Sequence, residues 1–162
     1  MQDEDVREFY HSISSAIAEN RMADFKSELS LFVQNSLREN GKFNTLSFYR
    51  RILAMAVECD AVDAARHLVL DLKVDINPHV WMDRAERGPR SSFLGMAINQ
   101  HKNKVARFFI EEGGADLDTP DLDGNRQIHY ICEKNNGDLL PLVLLRCRNL
   151  HVANDKGQEP RD

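Results

Sequence analysis

The stretch LAMAVECDAVDAARHLVLDLKVDIN, Leu53 to Asn77, recurs 41 positions later without a gap as LGMAINQHKNKVARFFIEEGGADLD, Leu94 to Asp118. Leu53 falls on Leu94, Met55 on Met96 and Ala56 on Ala97. Ala65–Arg66 falls on Ala106–Arg107, and Asp75–Ile76 on Asp116–Leu117. A third copy follows at an offset near 34, with Leu94 on Ile128, Ala97 on Ile131, Val105–Ala106 on Leu139–Leu140 and Phe109–Ile110 on Val143–Leu144. The glycines of LDG (Leu122–Gly124) and DKG (Asp155–Gly157) stand 33 apart. A weaker copy comes first: Ile17–Leu29 matches Ala56–Leu68 at an offset of 39, placing Asp24 on Asp63 and Leu29 on Leu68.

Every copy has one internal grammar. A short, alanine-containing apolar helix is broken by two to four polar residues. A second helix with paired apolar residues follows, and then a turn rich in glycine or aspartate. Val105, Ala106, Phe109 and Ile110 share one helical face. One such pair is too thin to bury that face alone, so copies must stack on one another. The fold class expected is therefore all-α, about four stacked helix-turn-helix units in a single domain. Their bounds are 6–44 (an N-terminal cap), 45–90, 91–122 and 123–156, with 157–162 a tail or the start of a further unit. In the cap, Phe25, Leu29, Phe32, Val33 and Leu37 form the stripe expected to seal the stack, and Ser36–Arg51 reads as the link to the next unit. The longest apolar run, Leu139–Leu145, has the length of a buried helix face.

The segment Gly113–His129, GGADLDTPDLDGNRQIH, is the most specific part. With the paired helices and the period near 33, it resembles the ankyrin-repeat family, whose units usually read G-A-D-V-N and then D-x-x-G-x-T-P-L-H-x-A. GADLD at Gly114–Asp118 matches the first part, and Asp121, Gly124, Ile128 and His129 occupy the D, G, L and H of the second. The resemblance extends over nearly the whole chain, from about Val6. It implies an ankyrin-type α-solenoid with hairpin-like loops, a structural His129, and a non-catalytic role in binding other proteins. Arg126 and Gln127 replace the usual Thr-Pro, and Ala54 and Gly95 stand at the histidine position of other units. Each lost helix cap costs about 0.5–2 kcal/mol, so the repeats are divergent and less stable than an ideal array.

The four aspartates Asp116, Asp118, Asp121 and Asp123 do not fit a calcium loop. Such a loop needs oxygen ligands at its first, third and fifth positions, then glycine and a closing glutamate. Counted from Asp116 the fifth position is Pro120; counted from Asp118 the third is Pro120. Aspartates of this kind close local turns by accepting backbone amides. No metal or other cofactor is expected. His129 and Cys132 lie three residues apart on one helical face, the spacing of a Cys–His dyad, but a helix-borne cysteine beside a stacking surface is ordinarily core. No catalytic motif is present and no enzyme is expected.

A net charge of −5 argues against a phosphate-backbone binder, which would need a local basic patch, and no basic stripe accompanies the aromatics, so nucleic-acid binding is not expected. Three cysteines without C-x-x-C spacing argue against a disulfide framework or zinc ribbon. They fit buried, reduced thiols in an intracellular protein, cytoplasmic or nuclear. The acidic N-terminus is no secretory signal, and no run is long enough to span a membrane.

The partner implied is a protein or peptide. Relative to the period, the second unit carries seven or eight extra residues within Pro78–Ser91. Insertions in repeat arrays fall on loops, often on the binding face. This one holds Trp81, Met82, Arg84 and Arg87, residue types enriched at binding hot spots. Trp81 either anchors a partner or folds back over the adjacent turn, and a passive loop is the third reading. The resemblance adds the loop tips, Leu122, Asp123 and Asn125, and the first-helix ends, Asn99, Gln100, Glu133 and Lys134. An alternative occupant is a basic, Lys/Arg-rich or histone-like tail on the acidic tip row; a cysteine-dependent enzyme is the remaining alternative.

Overall fold

The computed structural model describes residues 3–39, 43–77, 92–121 and 123–160. Among these residues the regular structure is entirely helical, without a strand. The helices are α1 (Asp3–Ala18), α2 (Met22–Glu39), α3 (Thr45–Glu58), α4 (Val62–Arg66), α5 (Phe93–Asn99), α6 (Asn103–Glu111), α7 (Gln127–Glu133) and α8 (Leu140–Leu144). A π-helical turn, His67–Asp71, continues α4. The chain forms two compact bodies, Met1–Val74 with α1–α4 and Asp75–Asp162 with α5–α8.

One turn recurs four times. Asn20, Asp60, His101 and Asn135 each adopt a left-handed conformation, with φ between 49° and 55°. At each, the residue after the turn donates its backbone N–H to a carbonyl five residues earlier: Arg21 to Ala16, Ala61 to Ala56, Lys102 to Ala97 and Asn136 to Ile131, all at 2.8–2.9 Å. The left-handed residue itself donates to the carbonyl three back, on Ile17, Val57, Ile98 and Cys132. This double bond pattern is the Schellman motif, which satisfies the last carbonyls of a helix and reverses the chain. Asparagine and aspartate tolerate the conformation best among residues bearing a Cβ, and three of the four positions use them. The reversals set α1 against α2, α3 against α4, α5 against α6 and α7 against α8.

Within each body the two hairpins pack alike. In the first, α1 lies on α3 and α2 on α4; in the second, α5 lies on α7 and α6 on α8. The buried faces repeat in the same register. Ile13, Ala16 and Ile17 correspond to Leu53, Ala56 and Val57, to Leu94, Ala97 and Ile98, and to Ile128 and Ile131; all are buried. The alanines and glycine on first helices bring helices close, while Leu68, Phe109 and Val143 fill the space beneath the second helices. Ser92 caps α5 by accepting the Gly95 N–H, and Asn44 caps α3 by accepting that of Ser47.

Several sequence expectations change. Cys59 is exposed rather than buried, standing at the C-terminal cap of α3. The offset between the first two copies is 40, not 39, because the Schellman turns at Asn20 and Asp60 set the register. Leu29 therefore corresponds to Val69, and Leu68 to Glu28. Leu37 does not join the sealing stripe: Phe25, Leu29, Phe32 and Val33 are buried, whereas Leu37 is 45% exposed near the end of α2. The stretch up to Arg51 is no link, since α3 begins at Thr45. Phe32 stacks on both Phe9 (centroids 3.9 Å apart) and Phe48 (5.1 Å), which also meet each other at 5.7 Å, with Phe43 edge-on, and this aromatic group holds the start of α3 against α1 and α2. In the run Leu139–Leu145 only Leu139 and Val143 are buried; Leu145 is 82% exposed. Among the described residues no helix is long and apolar enough to cross a membrane.

Candidate functional site

The loops of the second body interlock through side chains that imitate backbone. Asp75, Asp116 and Asn149 each accept the N–H two residues on, from Asn77 (2.9 Å), Asp118 (2.9 Å) and His151 (3.2 Å). These are three Asx turns at matching places of successive copies. The first two turns then reach forward. The Asn77 amide accepts the Asp116 N–H at 2.7 Å and donates to the Gly114 carbonyl at 3.2 Å. The Asp118 carboxylate accepts the Arg148 N–H at 3.1 Å. The Arg126 Nε donates to the Asp118 carbonyl at 2.7 Å, so its guanidinium ties down the loop rather than capping α7.

The outer turns repeat as closely. Asp121 Oδ1 accepts the N–H groups of Asp123 and Asn125, and Asn154 Oδ1 accepts those of Lys156 and Gln158, a displacement of 33. Gly124 and Gly157, at φ 75° and 73°, supply the left-handed residue in each. The Asp155 N–H donates to the Asp123 carbonyl at 3.2 Å, and the Asn154 Nδ2 donates to Asn125 Oδ1 at 2.8 Å, joining the two turns. Asp116 and Asp121 are thus turn-closing residues, while the Asp118 carboxylate bridges to the next loop. Among the described residues no group of three or more histidine, cysteine, aspartate and glutamate side chains is arranged to hold a metal.

His129 is buried at the start of α7, and both ring nitrogens are engaged by backbone. Nδ1 accepts the Arg126 N–H at 3.1 Å, and Nε2 therefore carries the proton and donates to the Gln158 carbonyl at 3.3 Å. The ring links the entrance of α7 to the following loop. It is already committed on both sides, so neither nitrogen is free to take a proton from Cys132. The Tyr130 hydroxyl donates to Asp121 Oδ2. Its burial, with the adjacent carboxylate second, holds the phenol well above its ordinary pKa. The Cys147 thiol is pushed up to about 11 by burial, helped by Asp118.

Between α7 and the last loop lies a cleft of about 560 Å³. One wall carries Asn125, His129, Cys132 and Glu133; the other is the turn 154–160, with Asn154, Gln158, Glu159 and Pro160. Two of the expected contact residues, Asn125 and Glu133, line it together. Lys134 does not line it, and its ammonium is 3.3 Å from the Glu133 carboxylate. Asp123 contributes its carbonyl to the joined turns. Asn99 and Gln100 end α5, half-buried and exposed, and do not line the cleft. Trp81, Met82, Arg84, Arg87 and Leu122 lie outside the described residues. The wall from Asn154 to Pro160 was not among the expected site residues, although DKGQEP repeats the pattern of LDGNRQ and so announces a second turn of the same shape.

No protein-family model matches the sequence, and no curated protein is significantly similar to it.

Proposed function

We propose that this chain is a divergent repeat protein of the ankyrin type, an α-solenoid of four helix pairs. Its role is non-catalytic, to bind a protein or peptide partner through its loop tips and first-helix ends. The recurrence of one Schellman turn in four helix pairs, with interlocked Asx loops at the family's G-A-D and D-x-x-G positions, supports the repeat assignment. The single observation that carries the binding role is the cleft, in which Asn125 and Glu133 from the family's contact positions face the next loop across an open groove. The mechanism is preorganisation. Loops already tied by their own hydrogen bonds lose little freedom on association, so more of the contact energy appears as affinity. The commitment of both His129 nitrogens favours this reading over a cysteine-dependent enzyme.

The test is an immobilised library of short peptides of mixed composition, screened with the intact chain. Hits are then titrated into isotopically labelled protein and followed by amide shifts. The expected result is a subset of binders whose shifts concentrate at residues 123–134 and 154–160. A library without binders, or shifts confined to the second helices, overturns the reading.

A further inference from the structure

The lining of the cleft has a one-sided chemistry. Glu133 and Glu159 are its charged side chains, one on each wall, and among the described residues no lysine or arginine lines it. Both His129 ring nitrogens are engaged by backbone, Nδ1 with the Arg126 N–H and Nε2 with the Gln158 carbonyl. The amide groups between the carboxylates are largely occupied. Asn125 Oδ1 accepts from Asn154, Asn154 Oδ1 accepts two backbone N–H groups, and Gln158 Oε1 accepts from Asn154. The Gln158 carbonyl takes the His129 Nε2 proton. The charged acceptors that line the cleft are the two carboxylates. The Glu133 side chain is 67% exposed and has only the neighbouring Lys134 at 3.3 Å, an adjacent-residue pair of little strength. Cys132 and Pro160, which also line the cleft, offer an apolar surface to a methylene stem.

We propose that the cleft receives a lysine or arginine side chain of an extended peptide segment, its charged head between Glu133 and Glu159 and its stem against Cys132 and Pro160. A long cationic side chain suits such a site, since it buries an apolar stem while its head stays at the mouth. Arginine satisfies two separated carboxylates best, having donors on both sides of a planar fork. This inference rests on the peptide-binding reading above and narrows it to one class of residue.

The test uses a fluorescein-labelled glycine–serine nonapeptide carrying arginine and lysine, with two counterparts in which these become glutamine or glutamate. All three are titrated by fluorescence polarisation against the whole chain and against Glu133→Gln, Glu159→Gln and the double variant. Both glutamates are exposed at the surface, and circular dichroism verifies that the variants keep their helix content. The basic peptide should bind most tightly. Each single change should weaken it about threefold and the pair about tenfold, and binding should fall on raising salt from about 0.05 to about 0.5 M. Basic-peptide binding unchanged in the double variant overturns the proposal, because the contact then lies elsewhere. Equal binding of the glutamine peptide, with shifts at Asn125 and Gln158, also overturns it but leaves the peptide-binding function standing. Absence of binding by all three peptides, when the library yields other binders at the cleft, again refutes only the cationic preference; absence in both experiments removes the two together.

Discussion

Gly124 and Gly157 stand at equivalent places in successive turns, with φ of 75° and 73°, and yet they meet different surroundings. A Cβ at Gly157 would find nothing within 4 Å, whereas one at Gly124 would overlap the Asp155 carboxylate and lie 2.6 Å from the Asp155 backbone nitrogen. Alanine at either site takes on the left-handed conformation, which costs about 1–2 kcal/mol for a residue with a Cβ. Part of this is offset by the stiffer unfolded chain, about 0.4–1 kcal/mol. Gly157→Ala should therefore cost about 1 kcal/mol. Gly124→Ala adds a collision that the carboxylate can avoid by rotating but the backbone nitrogen cannot. The turn 154–158 must move away, and the Asp155-to-Asp123 and Asn154-to-Asn125 hydrogen bonds are lost, at about 1 kcal/mol each. The total is about 3 kcal/mol. Urea denaturation followed by circular dichroism at 222 nm measures both variants against the parent. In a thermal scan the same difference corresponds to about 2–4 °C per kcal/mol for a chain of this length. If the two substitutions cost the same to within about 0.5 kcal/mol, the outer turns do not pack on one another and the reasoning fails.

Lys73 holds the left-handed position at the end of the α4 π-turn that Gly114 holds after α6, with φ of 56° and 74°. Lys73→Gly should raise stability by about 0.5–1 kcal/mol, whereas Gly114→Ala should lower it by a similar amount, both read from urea midpoints. Tyr130→Phe removes the hydrogen bond to the Asp121 carboxylate and should cost about 1 kcal/mol at pH 7. Because the folded phenol titrates above its unfolded value, this contribution is complete below about pH 10 and fades as the pH rises beyond it. The stability difference between parent and variant should accordingly shrink in alkali; a difference constant to pH 11 contradicts the assignment. The exposed Cys59 should react first with iodoacetamide at pH 7.5, and Cys147 last, since a thiol near 11 is thiolate only about three parts in ten thousand there. Mass spectrometry of peptides after timed quenching reads the order.

The sequence revealed the helix pairs and the turn chemistry well, because both rest on local physics. Val105, Ala106, Phe109 and Ile110 share a face by periodicity alone and are all buried. Asp116 and Asp121 could be recognised as turn-closers because aspartates beside glycines in a reversal accept local backbone amides. The first offset slipped by one because it was matched on Leu29 and Leu68. The long helix α2 carries apolar residues beyond the hairpin's needs, so several registers look alike. The invariant lay in the turn itself, where Asn20 and Asp60 are both tolerant of positive φ. Exposure at the ends of helices was not legible, as Leu37 and Leu145 look like core in sequence but are exposed. The far wall of the cleft required knowing that the turn 154–158 folds onto its predecessor, a long-range contact made by Asp155, Asn154 and His129 that no single segment announces.

The forward reach of Asn77 and Asp118 has a consequence for how the loops come apart. The amide of Asp116 is held by the preceding loop, and that of Arg148 by the loop before it. Each amide's protection from solvent deuterium thus reports the opening of its upstream neighbour. Fraying begun at one reversal should pass to the next along the row, unbuttoning them in order.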